Sequence, residues 1–269
     1  INLKINAESE YGRELFNQFQ GSGYPLIVFL NKKGLELDRF YGYLPAYEFM
    51  IKMKNVMAGE NTFTYYLDEY NKNNHTAEIL KPLADKYKDK GDSDIALDLY
   101  KQLIISSNIS KEDYKVAEYN IASLSLKNEQ TNYMIAYLMN NQDDNNFEHG
   151  VYDLINHYKS NQMKIEELDT YAKYLPLLHQ SYNFLNSYAW RMSELGKNLD
   201  DALNKINMAL MLIDKNHQGY ANILDTKAEV LWKIGRTEDA ISVIEEALNI
   251  DSESDYYKAQ KEKFLKDIN

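Results

Sequence analysis

The chain contains no cysteine in 269 residues. That removes disulfides, thiolate nucleophiles and thiolate metal sites at once, because each needs a sulfur that can lose its proton. Basic residues are in deficit: 30 Lys and Arg stand against 41 Asp and Glu, a formal charge of −11, with an isoelectric point near 5.0. Phosphate backbones and anionic lipid surfaces are bound by clustered cations, so nucleic acid is not an expected partner. The densest basic stretch, Lys86 to Lys90, is short and includes an acid. Apolar runs are short as well. None approaches the roughly 18 residues needed to cross a bilayer, and no signal peptide is visible, so membrane insertion is not expected. The first residue is Ile1 rather than Met, and the expectation is that residues once preceded it.

What is present is globular in composition, with 44% hydrophobic and 26% charged residues. Two halves of different character follow one another. In the first, "INLKIN" alternates apolar and polar residues as a half-buried strand does. "ESEYGRELFNQFQ" places Leu15, Phe16 and Phe19 at helical spacing, with acids at its start. "PLIVFL" is an unbroken apolar run and reads as a strand covered on both faces. "NKKG" is a hairpin turn with Gly34 at the position that needs positive φ. "LELDRFYGY" is the returning strand. A helix follows, with Pro45 in its first turn and Phe49, Met50, Met53 and Val56 on one face. The order is β-α-β-β-α.

From about Thr62 strand signals stop, Gly and Pro become scarce, and apolar residues recur at helical spacing to the end. The segment is repetitive. In one copy Leu224, Ala228 and Leu231 lie on a helix that Gly235 ends, and Ala240 and Ala247 lie on the next. Another copy matches Ala189 to Ala228, Gly196 to Gly235, Ala202 to Ala240 and Ala209 to Ala247; the last two pairs are offset by 38 residues. A third uses Leu80, Ala84, Tyr87, Gly91, Ala96 and Tyr100. A helix pair cannot bury both apolar faces alone, so such copies stack. Between Lys111 and Gln180 the repeat degenerates, though amphipathic helices continue, and "YYKAQKEKFLKDI" reads as a polar capping helix.

These patterns carry two resemblances. The small-residue layout resembles tetratricopeptide repeats. The string "GYP…VFLNKKG…GY" after "LKIN" resembles the C-terminal half of a thioredoxin fold. The expected architecture is therefore multidomain: a partial α/β thioredoxin-like domain plus an all-α tetratricopeptide-type superhelical solenoid. The boundaries are 1–57 for the half-domain, 58–74 for a connecting segment and 75–269 for the repeats, clearest at 76–109, 182–215 and 221–254.

The thioredoxin resemblance implies a cis bond before Pro25 and a substrate-facing main chain at Tyr24. It also implies that the reactive Cys pair of the family would lie upstream, so no catalytic residue is expected in this chain. The half-domain would be completed by missing residues or by another chain. A bacterial cell-envelope or periplasmic location follows from the same resemblance. The repeats imply a protein or peptide partner.

Of 23 tyrosines, Tyr182, Tyr188 and Tyr220 are the candidates for a peptide groove, where a ring offers apolar area and a hydroxyl together. The five histidines show no metal-ligand spacing, the 140–146 polar loop lacks the Gly and final Glu of a calcium hand, and no phosphate or dinucleotide fingerprint occurs. Neither a metal nor a cofactor is expected. Three readings stand: a protein-binding chain of a thiol–disulfide oxidoreductase, a non-catalytic repeat adaptor, and a structural subunit of a larger assembly.

Overall fold

A computed structural model describes residues 3–267. The chain divides into two compact units, 1–150 and 151–269.

The first unit opens with helix α1 (Glu10–Gln18), which begins where Ser9 Oγ accepts the Gly12 N–H at 3.0 Å. Strands β1 (Leu26–Leu30) and β2 (Glu36–Tyr41) pair antiparallel, Ile27 opposite Phe40 and Phe29 opposite Asp38, with an irregularity at Phe29/Leu30. Their turn is closed by Asn31, whose Oδ1 accepts the N–H groups of Lys33 (2.8 Å) and Leu35 (3.0 Å). Gly34 has φ +78°, the conformation for which a glycine was expected there. The peptide bond before Pro25 is cis. Helix α2 (Ala46–Ala58) follows and ends on Gly59 in the left-handed region.

Two expectations for this segment fail. Leu3–Asn6, the described part of "INLKIN", is not a strand; Ile1 and Asn2 lie outside the described residues. Alternating polarity makes a strand only where a neighbour supplies hydrogen bonds, and the sheet has two strands among the described residues. β1 is not covered on both faces either. Leu26 to Phe29 are half-buried and Leu30 is exposed, because the helices Phe63–Asn71 and Ala77–Asp89 pack against β2 rather than over β1. The expected apolar face of α2 is only partly covered: Phe49 and Val56 are half-buried, while Met50 and Met53 are exposed. Phe29, Phe40 and Phe49 still meet, at ring separations of 5.9–6.5 Å.

Helix α3 (Phe63–Asn71) lies inside the segment expected as a connection. Thr62 Oγ1 accepts the Tyr65 N–H at its start, and Phe63 is buried. It packs on α4 (Ala77–Asp89), which packs on α5 (Ser93–Ile104), then α6 (Lys111–Leu126) and α7 (Thr131–Asn140) in turn. A helix packed on α4 thus stands within residues 58–74. The core of these helices joins Phe63, Leu80, Leu83, Ala84, Ala96, Tyr100 and Leu103.

Helix α8 (Phe147–Ser160) runs across the junction of the units. The second unit continues with α9 (Lys164–Tyr174), α10 (Tyr182–Leu195), α11 (Leu199–Leu212), α12 (Tyr220–Ile234), α13 (Thr237–Ile250) and α14 (Asp255–Leu265). From α10 on, each helix packs against the next, and α10 also packs against α12. Pairing with the next helix and the next but one is how a stacked hairpin array closes its core.

The matched small residues explain the spacing. Ala84, Ala96, Ala189, Ala202, Ala209, Ala228, Ala240 and Ala247 are all completely buried. A larger side chain at any of them would push two helix axes apart. Gly91, Gly196 and Gly235 follow the first helix of each pair with φ of +85°, +59° and +89°. That left-handed step turns the chain into the second helix. Helix α14 closes the array by burying Tyr257 and Phe264. No described helix is long and apolar enough to cross a membrane.

Candidate functional site

At the proline expected to face a substrate, Tyr24 is exposed and its ring stacks on Phe16 at 4.6 Å. The Pro25 carbonyl accepts the Gly42 N–H at 2.9 Å, which anchors the start of β1 against the end of β2. Arg39 holds the region from behind. Its Nε and Nη2 donate to Glu36 at 2.7 and 2.6 Å, and its Nη1 donates to the Phe19 carbonyl at 2.7 Å. The Nη1 bond ties the end of α1 to β2, and the two bonds to Glu36 fix the guanidinium in place.

The three groove tyrosines separate into two groups. Tyr182 and Tyr220 are the first residues of α10 and α12, and both are half-buried. His217 connects them. Its ring lies 5.7 Å from that of Tyr182, with Nε2 3.5 Å from the Tyr182 hydroxyl, and its carbonyl accepts the Tyr220 N–H at 2.9 Å. Nδ1 of His217 accepts the Gly219 N–H at 3.0 Å, so the neutral ring carries its proton on Nε2, toward Tyr182. The cluster offers two ring faces and an imidazole edge beside the first turn of α12.

Tyr188 lies elsewhere. It is buried, and its hydroxyl donates to Asp201 Oδ2 at 2.8 Å, tying α10 to α11. Burial and the neighbouring carboxylate push its ionisation well above that of an ordinary phenol.

Sequence reasoning missed a polar cluster between α12 and α14. Asp225 Oδ1 accepts Gln260 Nε2 and Oδ2 accepts the Tyr256 hydroxyl, both at 3.2 Å. Glu229, one turn on, is joined to Lys263. Burial raises the Asp225 carboxyl to about 6 against the partial relief given by Gln260 and Tyr256, and burial raises Tyr256 to about 12. These bonded partners lie 31 to 35 residues apart, and no local pattern announces them.

The 140–146 loop is structural. Asp144 Oδ1 accepts the Tyr137 hydroxyl and the Asn146 N–H, each at 2.9 Å, and Lys115 lies 3.3 Å from its Oδ2. Among the described residues no group of three His, Asp or Glu is placed to hold a metal ion.

Stacked helical hairpins with buried small residues and left-handed turns define a helical-repeat protein of tetratricopeptide type, and comparison with solved structures agrees. The crystal structure of YrrB, a TPR protein with an unusual peptide-binding site, aligns with a TM-score of 0.50 at 13% identity, over 73% of this chain and 97% of that one. The crystal structure of MamA aligns at 0.48 and 14% identity, over 64% of this chain and 90% of that one. TTC0263, a thermophilic TPR protein of Thermus thermophilus, aligns at 0.32 and 15% identity, over 81% and 94%. At these identities the likeness to YrrB speaks for the fold. No family model and no curated protein matches the sequence.

Proposed function

We propose that this chain is a scaffold that binds a protein or peptide through its helical repeats, with Tyr182, His217 and Tyr220 as the first contacts. The observation that carries this reading is the contact of the Tyr182 and His217 side chains at the start of α10, with the main chain of Tyr220 at the start of α12 held to the His217 carbonyl. Partly exposed tyrosines backed by a rigid helix pair bring apolar area at low entropic cost. Tyr188, held by Asp201, supports α10 from beneath rather than meeting the partner. The peptide-binding site of YrrB, a protein of the same architecture, adds support by analogy. The test is direct. Peptides selected from a displayed library against the purified chain are measured on Tyr182→Ala and Tyr220→Ala, where affinity is expected to fall about tenfold or more. Unchanged affinity in both variants would contradict the site.

We further propose that residues 1–57 form the C-terminal half of a thioredoxin-like domain, joined by 58–74 to repeats over 75–269. The β1–β2 hairpin followed by α2 and the exposure of Tyr24 beside Pro25 support this reading. So do the exposed apolar side chains of Leu30, Leu35, Met50 and Met57, which suit a half-domain completed by further residues or by another chain. On this reading Tyr24 and Pro25 face a substrate, and the parent is a thiol–disulfide oxidoreductase of the bacterial envelope if it has a Cys pair. An adaptor or structural subunit is the reading if it has none. The sequence upstream of Ile1 in the parent gene decides between them.

A further inference from the structure

A groove of about 420 Å³ lies in the first unit. Its walls are α5 and α7, the second helices of two successive pairs, and its floor is α6. Ile104, Ile121 and Ala122 line the bottom, and Ala136 and Ile105 form the lips. Ile105 is 82% exposed although it is a large aliphatic residue ending a helix. The small side chains of Ala122 and Ala136 leave open the space that a larger residue would fill. The volume lies in the range of ligand-binding clefts, and a trough between two helices on a third is the shape that receives another helix.

The charges in the groove select the occupant. Lys101 and Glu118 line it. Glu118 Oε2 already accepts Asn141 Nδ2 at 3.1 Å. Lys101 forms no ion pair among the described residues, although the chain has an excess of acids and many of its other lysines are paired. Its ammonium instead faces the ring of Tyr133, 5.9 Å from the centroid. The groove therefore presents apolar walls, a cation beside the ring of Tyr133, and the Glu118 carboxylate, one oxygen of which is engaged by Asn141.

We infer that this groove docks an amphipathic helix of another protein, which inserts one large apolar side chain between Ile105 and Ala136 and sets a carboxylate one turn away against Lys101. The site shares no residue with the Tyr182 cluster, so either can fail without the other.

The probe is an alanine-based helical peptide carrying Phe and, four residues on, Glu. Binding to the full chain is followed by the methyl resonances of its isoleucines. Shifts concentrated at Ile104, Ile105 and Ile121 are expected. Replacing the peptide Glu by Gln, or Lys101→Met in the protein, should weaken binding roughly fivefold, the strength of a partly exposed ion pair. With Lys101→Met the Glu and Gln peptides should bind equally. Ala136→Trp should remove the shifts. Because that variant could disturb folding, the surface variant Lys101→Met carries the charge test by itself. No shift at millimolar peptide, shifts mapping elsewhere, or equal binding of Glu and Gln peptides to the unaltered chain would overturn the proposal. So would tighter binding of decanoate than of peptide at the same methyls, which would mark a lipid-like site.

Discussion

Asp38 on β2 accepts a hydrogen bond from the ammonium of Lys86 on α4, 48 residues further along the chain. Lys52 of α2 stands 3.2 Å from the other Asp38 oxygen as an ion pair without hydrogen-bond alignment, and the Phe63 N–H donates to Asp38 at 3.2 Å. One buried carboxylate thus joins the hairpin, α2, the start of α3 and the first repeat helix. The first unit is held at this point by electrostatics as well as by packing. The arrangement has a cost. Burial lowers the Lys86 ammonium below an ordinary lysine more than Asp38 raises it.

A buried pair of this kind is expensive to break from one side. Lys86→Met should destabilise the first unit by about 2 kcal/mol, because Asp38 keeps Lys52 but loses its better-placed partner. The double variant Asp38→Asn with Lys86→Met should recover much of that loss. Hydrogen exchange in β2 and α4 reads both. Additive losses in the double variant would mean that the two side chains are not coupled.

Asp225 gives the second unit a pH dependence of defined sign. Its carboxyl is raised by burial from 3.8 to about 6 in the folded chain. The folded state therefore holds this proton more tightly than the unfolded one. The group's contribution is fully favourable below about pH 4 and is lost as pH rises through about 6. The linkage is worth about 3 kcal/mol. Asp225→Asn should be more stable than the unaltered chain at pH 7, and the difference should shrink as pH falls toward 4. Thermal melts read by Trp232, which lies on α12, check this. A difference that does not change with pH would remove Asp225 as the source.

Ala228 tests the stacking. It is completely buried on α12 within the core formed with α13 and α14. Ala228→Leu should cost about 2 kcal/mol through overpacking, whereas the same change at the exposed Ala136 of α7 should be nearly neutral to stability. Urea denaturation separates the two. Equal tolerance at both sites would mean that α12 is not closely packed.

Much of the repeat architecture was legible because its signals are local. Ala and Gly positions, read only for their spacing, mark the close helix contacts and the left-handed turns. The Gly34 hairpin was legible for the same reason. Helix α3 was not, because "FTYYLDEYN" is rich in aromatics and short; the Thr62 cap ahead of it was the available signal. The strand expected at the N-terminus failed because alternation describes a face and not the neighbour that must pair with it. The contacts of Asp38 with Lys86, His217 with Tyr182 and Asp225 with Gln260 span 35 to 48 residues, beyond any periodic pattern. Of the three groove tyrosines, Tyr188 shares its residue type with the other two, and only packing reveals that its hydroxyl is spoken for.

The absence of cysteine fixes one chemical outcome. Dithiol exchange needs a thiolate and a resolving thiol, and this chain has neither. The 269-residue chain with dithiothreitol should reduce insulin no faster than dithiothreitol alone. A faster rate would contradict the argument from missing thiols.

Deuterium uptake with and without a display-selected peptide tests the binding scaffold most directly. The account predicts slower exchange at the starts of α10 and α12, residues 182–187 and 217–224, with β1 and β2 unchanged. Protection confined to the hairpin, or none along α10 and α12 at saturating peptide, would contradict it.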